Sequence, residues 1–475
     1  MEEPLYLEPL FPEHTAGEHL VVQFTRRLRE AIETGTLPCG MRLLGTRQLA
    51  RRLGLGRNTV ALAFEQLVAE GYLESRTGSG TYVAAAAQKP VRLRRTRRHT
   101  QPARAQHAEA LRAYIQMSAG SGPLRPGMPD LAMFPKLAWA RCARKALSVY
   151  DDDLGYARAA GLRSLQDAIA GHLRQFRGVS VQPEQIVVVE GAQAALHLIA
   201  SVLARAGDAI VLEDPCYALA RAAFEAYDLR LRPIPVDDEG LRVDSLPSDA
   251  RLAFVTPTHQ YPLGGALTIA RRNALLQWAV ERDAYVIEDD YDSEFTSMTR
   301  PLPPLQCLDR DERVVYVGSF SKTLAPGVRV GYLVAPPHLS RAFTVARAVD
   351  GLGVGIHLQA TLAELIAQGH FARHIRRANA AYDRRRAVLM EALRPALQSG
   401  FRLGPALTGL HLAFHAKRGF DDVGMAQAIR GQRLVALSPL CIRRRDCRGF
   451  LLGFTNGNDD AIAAAAATVL KDVVT

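Results

Sequence analysis

The spacing of apolar positions changes character along the chain. Between residues 18 and 84 it is helical: "VVQFTRRLREAI" carries one apolar stripe, and "RQLARRLGLGRNTVALAFEQLVAEGYL" reads as helix, tight turn, helix. Gly54 and Gly56 punctuate the turn, and Arg57 or Asn58 opens the second helix. Val60, Ala63, Phe64, Leu67 and Val68 fall on one face of that helix, the side to be buried. "YLESRTGSGTYV" then predicts a strand, a turn at Gly78-Ser79-Gly80 and a second strand, which completes a winged helix-turn-helix over residues 1–84. Residues 85–112 have no apolar period and predict an extended, mobile connection. From 113 to 475 short apolar runs alternate with helical stretches. "EQIVVVEG", "DAIVLED", "RLAFVTPT", "AYVIEDD" and "RVVYVGS" each read as a strand that ends in polar or small residues. That alternation predicts an α/β fold, a parallel sheet with helices on both faces.

Composition sharpens this division. At 475 residues the chain exceeds one compact core, and roughly two to four domains are expected. The 48% hydrophobic and 23% charged content is that of a soluble globular protein. No apolar run reaches the ~20 residues of a membrane span. The acidic start "MEEPLYLEPL" lacks the apolar core of an export signal, so a cytoplasmic protein with no membrane partner is expected. Cys39, Cys142, Cys216, Cys307, Cys441 and Cys447 form no CxxC pair, which predicts reduced thiols and no metal site. The net charge of +11 is uneven: no acidic residue lies between Glu74 and Glu109, while Arg76, Lys89, Arg92, Arg94, Arg95, Arg97, Arg98 and Arg104 do. A solvated linker explains that stretch, and such segments also track nucleic-acid backbones.

Arginine does nearly all the cationic work, since only six of the 59 basic residues are lysines. One of the six, Lys322, stands in "GSFSKTLAPGVRVGY" just past a predicted strand end. In an open α/β sheet ligands bind beyond the carboxyl ends of the strands. Those ends read Gly191-Ala192-Gln193, Glu213-Asp214-Pro215, Thr256-Pro257-Thr258-His259, Glu288-Asp289-Asp290-Tyr291 and Ser319-Phe320-Ser321-Lys322. The set suits a phosphorylated, electron-poor aromatic cofactor. A lysine amine can lose its proton and form a Schiff base with an aldehyde, whereas a guanidinium cannot. Pyridoxal 5′-phosphate is the aldehyde cofactor that uses this link. Its ring nitrogen needs a carboxylate partner, and its phosphate needs an arginine, hydroxyls and helix N-terminal amides.

"SFSKTLAPGVRVGY" resembles the Schiff-base segment of fold-type I aminotransferases, and "EDDYDSEF" their acid–tyrosine segment. "GAQAALHL" resembles their phosphate-binding helix start, and "GYARAAGLRSLQDAIAGHL" their N-terminal segment. With the winged helix ahead of them, residues 18–460 resemble the MocR-type (GabR-like) transcription regulators, a GntR-type DNA-binding domain fused to an aminotransferase-like effector domain. The resemblance implies a mostly parallel seven-stranded sheet with a smaller α+β subdomain at 113–475, serving cofactor binding and dimerisation. It implies that Lys322 holds pyridoxal 5′-phosphate as an internal aldimine, with Asp289 at the pyridinium nitrogen and Tyr291 by O3′. Ser319, Ser321, Arg329 and the amides of Ala192 and Gln193 would take the phosphate, and Tyr217 would lie against the ring. Tyr156 would reach the neighbouring subunit's phosphate, which implies a homodimer. Asp290 or Glu288 remain alternatives for the functional acid. Ser319 and Ser321 can also be read as turn formers, Tyr156 as core packing and Tyr217 as a strand-edge aromatic.

Departures from the family pattern bear on function. Where many aminotransferases have Asn-Pro before a glycine, this chain has "HQYPLGG", which leaves His259 or Gln260 as the substitute for the missing asparagine at O3′. The last strand, "GFLLGFTN", offers Leu451 where catalytic relatives place a substrate-carboxylate arginine, leaving Arg448 and Arg443-Arg444-Arg445 as candidates. Leu219 stands where GABA-sensing relatives have an effector-binding arginine, which argues against GABA as ligand. At the other end, Arg57, Asn58 and Thr59 would enter the major groove, Arg47 would contact phosphate, and Gly78 and Gly80 would bring the wing to the minor groove. Leu44-Gly45 replaces the usual Pro-Ser before the first helix of the motif, with Thr46 as the substitute cap. The expectation is a cofactor-dependent regulator that reads two half-sites of double-stranded DNA and senses pyridoxal 5′-phosphate or an amino compound. A working aminotransferase with an accessory DNA-binding module is the alternative, and a scaffold that has lost the cofactor a third reading.

Overall fold

The computed structural model describes residues 19–85, 109, 111–117, 120–149, 159–296, 302–351, 353–405, 409–429 and 434–474. The chain divides into two units, Met1–Gln101 and Pro102–Thr475. The first boundary thus lies within the basic stretch predicted as linker, most of which is outside the described residues. No helix among the described residues is long and apolar enough to cross a membrane.

In the first unit, helices α1 (Leu20–Glu33), α2 (Thr46–Leu53) and α3 (Arg57–Ala69) are followed by strands β1 (Leu73–Arg76) and β2 (Gly80–Val83). Phe24, Leu28 and Ile32 of α1, Leu49 and Leu53 of α2, and Val60, Ala63, Phe64 and Leu67 of α3 fill one core, as the apolar spacing predicts. Val68, the last residue of the predicted stripe, packs at its edge, half-buried. The turn between α2 and α3 works because Gly54 closes α2 in the left-handed conformation, φ 65°. Strands β1 and β2 pair antiparallel from Leu73↔Val83 to Arg76↔Gly80, and Arg42 bridges to Tyr82 beside them. The caps differ from expectation. Gly56 precedes α3 and Gly45 precedes α2, neither with a side-chain cap, so Thr46 is the first helical residue and not a cap.

The second unit is built on one large sheet. Its strands are β3 (Ile186–Val189), β4 (Ala209–Asp214), β5 (Arg230–Asp237), β6 (Gly240–Leu241), β7 (Ala250–Val255), β8 (Tyr285–Asp289), β9 (Val314–Ser319) and β10 (Gly331–Val334). The order is β3-β10-β9-β8-β7-β4-β5-β6. Strands β5, β4, β7, β8 and β9 run parallel, and β10 is antiparallel to both neighbours. The eighth strand, β6, is a two-residue hairpin partner of β5 added to the expected seven. The strands are continuously apolar because both faces are covered. Val187 and Val189 enter one core while Ile186 and Val188 enter another, the period of two expected of a strand. A smaller antiparallel sheet, β11 (Arg402–Leu403), β12 (His411–His415), β13 (Val435–Ala436) and β14 (Gly449–Gly453) in the order β11-β12-β14-β13, forms the α+β subdomain with the long helix His370–Leu397 and the helix Asp459–Val474.

Candidate functional site

The acid run at the end of β8 is sorted by its contacts. Glu288 accepts the backbone N–H groups of Leu305 (2.8 Å) and Gln306 (3.0 Å). Asp290 is ion-paired with Arg177 at 2.9 Å and accepts the Tyr316 hydroxyl at 2.6 Å. Asp289, between them, points the other way, is 6% exposed, and its Oδ1 has no partner. Burial, and next the neighbouring Asp290 charge, push its carboxyl up to about 7, while Lys322 pulls it down. An unpartnered buried carboxylate oxygen calls for a donor. Of the three acids in this run, Asp289 alone is left without structural work.

Lys322 sits on the short helix Phe320–Thr323 at the end of β9. Its Nζ donates to the Gly127 carbonyl at 2.8 Å. A side chain at Gly127 would crowd that amine, since a Cβ there would lie 2.9 Å from Nζ. Burial lowers the Lys322 pKa, opposed by the charges of Asp292 and Asp289. A desolvated lysine is one that can give up its proton and act as a nucleophile.

Beside the amine, Ser319 accepts from the Ser321 N–H at 3.2 Å, so it does cap the short helix. The helix Ala192–Leu203 starts at Gly191, φ 97°, which puts Ala192 and Gln193 at its amino end. That start is reached only because Gly331 on β10 lacks a side chain: a Cβ there would lie 2.7 Å from the Gly191 Cα. The Ser321 hydroxyl lies 4.0 Å from where a Gly191 Cβ would be. Gln193 has a buried Nε2 without a partner, and Arg329 is exposed with φ 51° and no ion pair among the described residues. A helix amino end, hydroxyls, an amide and a guanidinium are the donor types that a phosphate calls for. Tyr217 precedes the helix Ala218–Glu225, and its phenol is pushed up to about 12 by burial and then by Asp289, while Gln193 and Arg329 act in the opposite sense. The structure therefore gathers Lys322, Asp289, Tyr217, Gln193 and Arg329 in one place. Tyr156 lies outside the described residues.

The "HQY" stretch resolves into three different roles. The Gln260 amide is fully used: Nε2 donates to Glu213 Oε2 (3.1 Å), the Pro215 carbonyl (2.9 Å) and the Tyr261 carbonyl (2.7 Å), and Oε1 accepts from Leu263 N–H (3.1 Å). Gln260 holds its own loop and leaves nothing for a ligand. His259 is buried, with Nδ1 3.0 Å from Asp292 and 3.0 Å from the Tyr291 hydroxyl. Tyr261 stands edge-on to Tyr217 at 5.5 Å and lies against Tyr291 at 6.1 Å and His411 at 5.4 Å. Tyr261, Asp292 and His411 are residues that sequence reasoning missed. Asp292 had a signal, the acid-rich "EDDYD", but His411 had none because it comes from β12 of the other sheet.

Of the candidate substrate arginines, Arg448 and Arg444 are committed elsewhere, while Arg443 and Arg445 are exposed. Arg448 pairs with the buried Asp422 at 3.3 Å, and Leu451 is fully buried in β14. The backbone N–H groups of Arg443 and Arg444 donate to Asp214, and the Arg444 guanidinium pairs with Asp446 at 2.9 Å.

In the first unit Arg47, Arg57 and Asn58 are exposed and Thr59 is half-buried, all in the first turns of α2 and α3. Because Gly56 is the cap of α3, the Asn58 side chain is not spent on that role. Gly78 (φ 77°) and Gly80 (φ 115°) make the tip between β1 and β2, flanked by Arg76 stacked on Tyr82 at 4.5 Å.

Comparison with known proteins agrees with both units. Residues 20–83 match the bacterial regulatory proteins of the gntR family, and residues 134–432 match aminotransferase class I and II. The chain is 38% identical over 425 residues to a probable rhizopine catabolism regulatory protein, MocR, of Rhizobium meliloti, covering 88% of this chain and 86% of that one. It is 34% identical to the pyridoxine biosynthesis transcriptional regulator PdxR of Corynebacterium glutamicum, covering 97% and 96%. Among solved structures, the multiple substrate aminotransferase of Thermococcus profundus superposes with a TM-score of 0.72 at 28% identity, over 79% of this chain and 97% of that one. Conserved architecture at both ends and relatives that span nearly the whole length lead to one assignment: the chain belongs to the MocR-type transcription regulators, a GntR-family DNA-binding domain joined to an aminotransferase class I and II domain.

Proposed function

We propose that this regulator binds pyridoxal 5′-phosphate at Lys322 and passes its occupancy to DNA through the first unit. The observation that carries the proposal is a desolvated Lys322 amine within the field of Asp289, a buried acid whose Oδ1 is unpartnered. The residues fit the cofactor. Asp289 would accept from the ring nitrogen, Tyr291 would lie by O3′ with His259 behind it, and Tyr217 would flank the ring. Ser319, Ser321, Arg329 and the amides of Ala192 and Gln193 would hold the phosphate. When bound, the cofactor supplies an aldehyde for Lys322 Nζ and an electron-poor ring. Gln260 has no part in this assignment, because its amide is already satisfied.

The signal is the cofactor itself or an amino compound that competes with Lys322 for it. The name of the PdxR relative, a pyridoxine biosynthesis regulator, supports the first. The occupied Arg448 and the buried Leu451 support regulation over efficient transamination. On DNA, Arg57, Asn58 and Thr59 would read bases, Arg47 would hold a phosphate, and the Gly78–Gly80 tip would approach the minor groove. A homodimer acting in the cytoplasm would present two such units to two half-sites.

The test is spectroscopic and uses the full chain. Supplied with pyridoxal 5′-phosphate, the protein takes on a visible absorption that Lys322→Ala removes. Arg57→Ala keeps the absorption and loses the footprint on operator DNA. A colourless wild type, or a Lys322→Ala protein as coloured as wild type, contradicts the cofactor site. A surviving Arg57→Ala footprint contradicts the DNA assignment.

A further inference from the structure

Resting on the cofactor reading above, we propose that Asp292 and His259 act as one positioning unit that fixes the Tyr291 hydroxyl and keeps a negative charge against the Lys322 amine. Asp292 follows β8 in the turn that leaves the sheet, and its side chain is 1% exposed. Both carboxylate oxygens lie 3.0 Å from His259 Nδ1, and Oδ2 also accepts the Leu410 N–H at 3.1 Å. The packing permits no slack: a Cβ on Gly409 would come within 2.5 Å of Asp292 Oδ2 and still closer to the His259 ring.

These contacts fix the protons. An ionised carboxylate only accepts, so Nδ1 of His259 carries the ring proton. The Tyr291 hydroxyl, 3.0 Å from that nitrogen, then donates to the His259 carbonyl at 3.1 Å. The phenol oxygen is held with its lone pairs available to a ligand. His259 Nε2 is buried without a partner, and a proton there would be left unsatisfied. The imidazole therefore orients Asp292 through Nδ1. His411 stacks on His259 at 4.8 Å, and burial holds its pKa well below the usual histidine range, so it adds no cation.

The remaining charged and titratable groups of the pocket do not replace Asp292. Asp290 is ion-paired with Arg177, and Glu213 is held by Thr256 and Gln260. Burial raises the phenols Tyr217, Tyr261 and Tyr291 and keeps them protonated. Arg125 opposes a proton on Lys322, and Arg329 serves the phosphate pocket. Asp292 and Asp289 are the two charges that favour the protonated amine, and Asp289 is occupied once a ring nitrogen binds. His259 Nδ1–H is the side-chain donor that holds the Asp292 carboxylate, so losing His259 removes the contact that favours its charge.

The experiment follows the visible absorption of the full chain loaded with pyridoxal 5′-phosphate across pH. Wild type is compared with Asp292→Asn, His259→Gln and the double variant. Each single variant keeps its colour but titrates about one pH unit lower, roughly a tenfold loss of proton affinity. The double variant titrates no lower than Asp292→Asn, because the two residues act as a unit. A purely structural defect lowers the amount of bound cofactor without moving the midpoint. Midpoints equal to wild type, or shifts that add, overturn the proposal while leaving the cofactor site intact. A wild type that binds no cofactor overturns both. Should Asp292→Asn fail to fold, His259→Gln reads the same midpoint.

Discussion

At the scale of single residues, the decisive contrast is between neighbours on β8. Glu288 and Asp290 are satisfied by backbone N–H groups, an arginine and a phenol, whereas Asp289 is left with an unpartnered oxygen. Holding an acid in that state costs stability. With its pKa raised to about 7 in the folded protein, against 3.8 as the ordinary value, Asp289 binds more protons folded than unfolded between those limits. Its contribution therefore turns against folding as pH rises through that window and is fully unfavourable above it. In the cofactor-free protein Asp289→Asn is thus expected to gain roughly 1–3 kcal/mol in urea unfolding near pH 8, and to show no gain near pH 4. The same variant should bind pyridoxal 5′-phosphate more weakly. A stability at pH 8 equal to or below wild type would show that Asp289 is paired after all. The sequence made this acid a candidate but left Glu288 and Asp290 open, because the alternation that separates them depends on which face the sheet turns toward the pocket. His411 and Tyr261 were illegible for a related reason. Their roles come from contacts between segments about 150 residues apart, and no local pattern encodes those.

At the scale of elements, the proposed phosphate seat depends on close backbone approach. β10 crosses the start of the Ala192–Leu203 helix where Gly331 meets Gly191, and it pairs with β9 at Ser319. Gly331→Ala would place a Cβ 2.7 Å from the Gly191 Cα and 3.0 Å from the Gly318 carbonyl, both backbone atoms. Forcing such a contact costs about 1–3 kcal/mol. Much of that strain would fall on the amides of Ala192 and Gln193, so cofactor affinity should fall about tenfold or more while helix content is kept; equal affinity would mean that the helix start is not the phosphate seat. The strands β3, β4, β7, β8 and β9 were legible as short apolar runs, and the helix-turn-helix and the wing from their local periods, whereas β5, β6 and β10 were not read from the sequence. The helix caps were not. Asn58 and Thr46 are good cap residues, yet the chain uses Gly56 and Gly45, leaving Asn58 on the exposed first turn of α3.

At the scale of the whole molecule, the two units carry separate chemistries: exposed arginines on α2, α3 and the wing in one, a half-buried lysine amine in the other. The division was legible because apolar period, acidic content and strand pattern all change near the basic stretch after residue 84. The subdomain around β11–β14 was legible only through family resemblance, since β11 and β13 are two residues each and too short to announce themselves. A regulator requires that the units communicate. Operator affinity measured by fluorescence anisotropy, with and without pyridoxal 5′-phosphate, in wild type and Lys322→Ala, tests this directly. Affinity in every case should fall steeply with salt, as phosphate contacts by arginine demand. The account predicts that the cofactor changes operator affinity in wild type and leaves Lys322→Ala unaffected. An operator affinity indifferent to the cofactor in wild type, or equally responsive in Lys322→Ala, would contradict it.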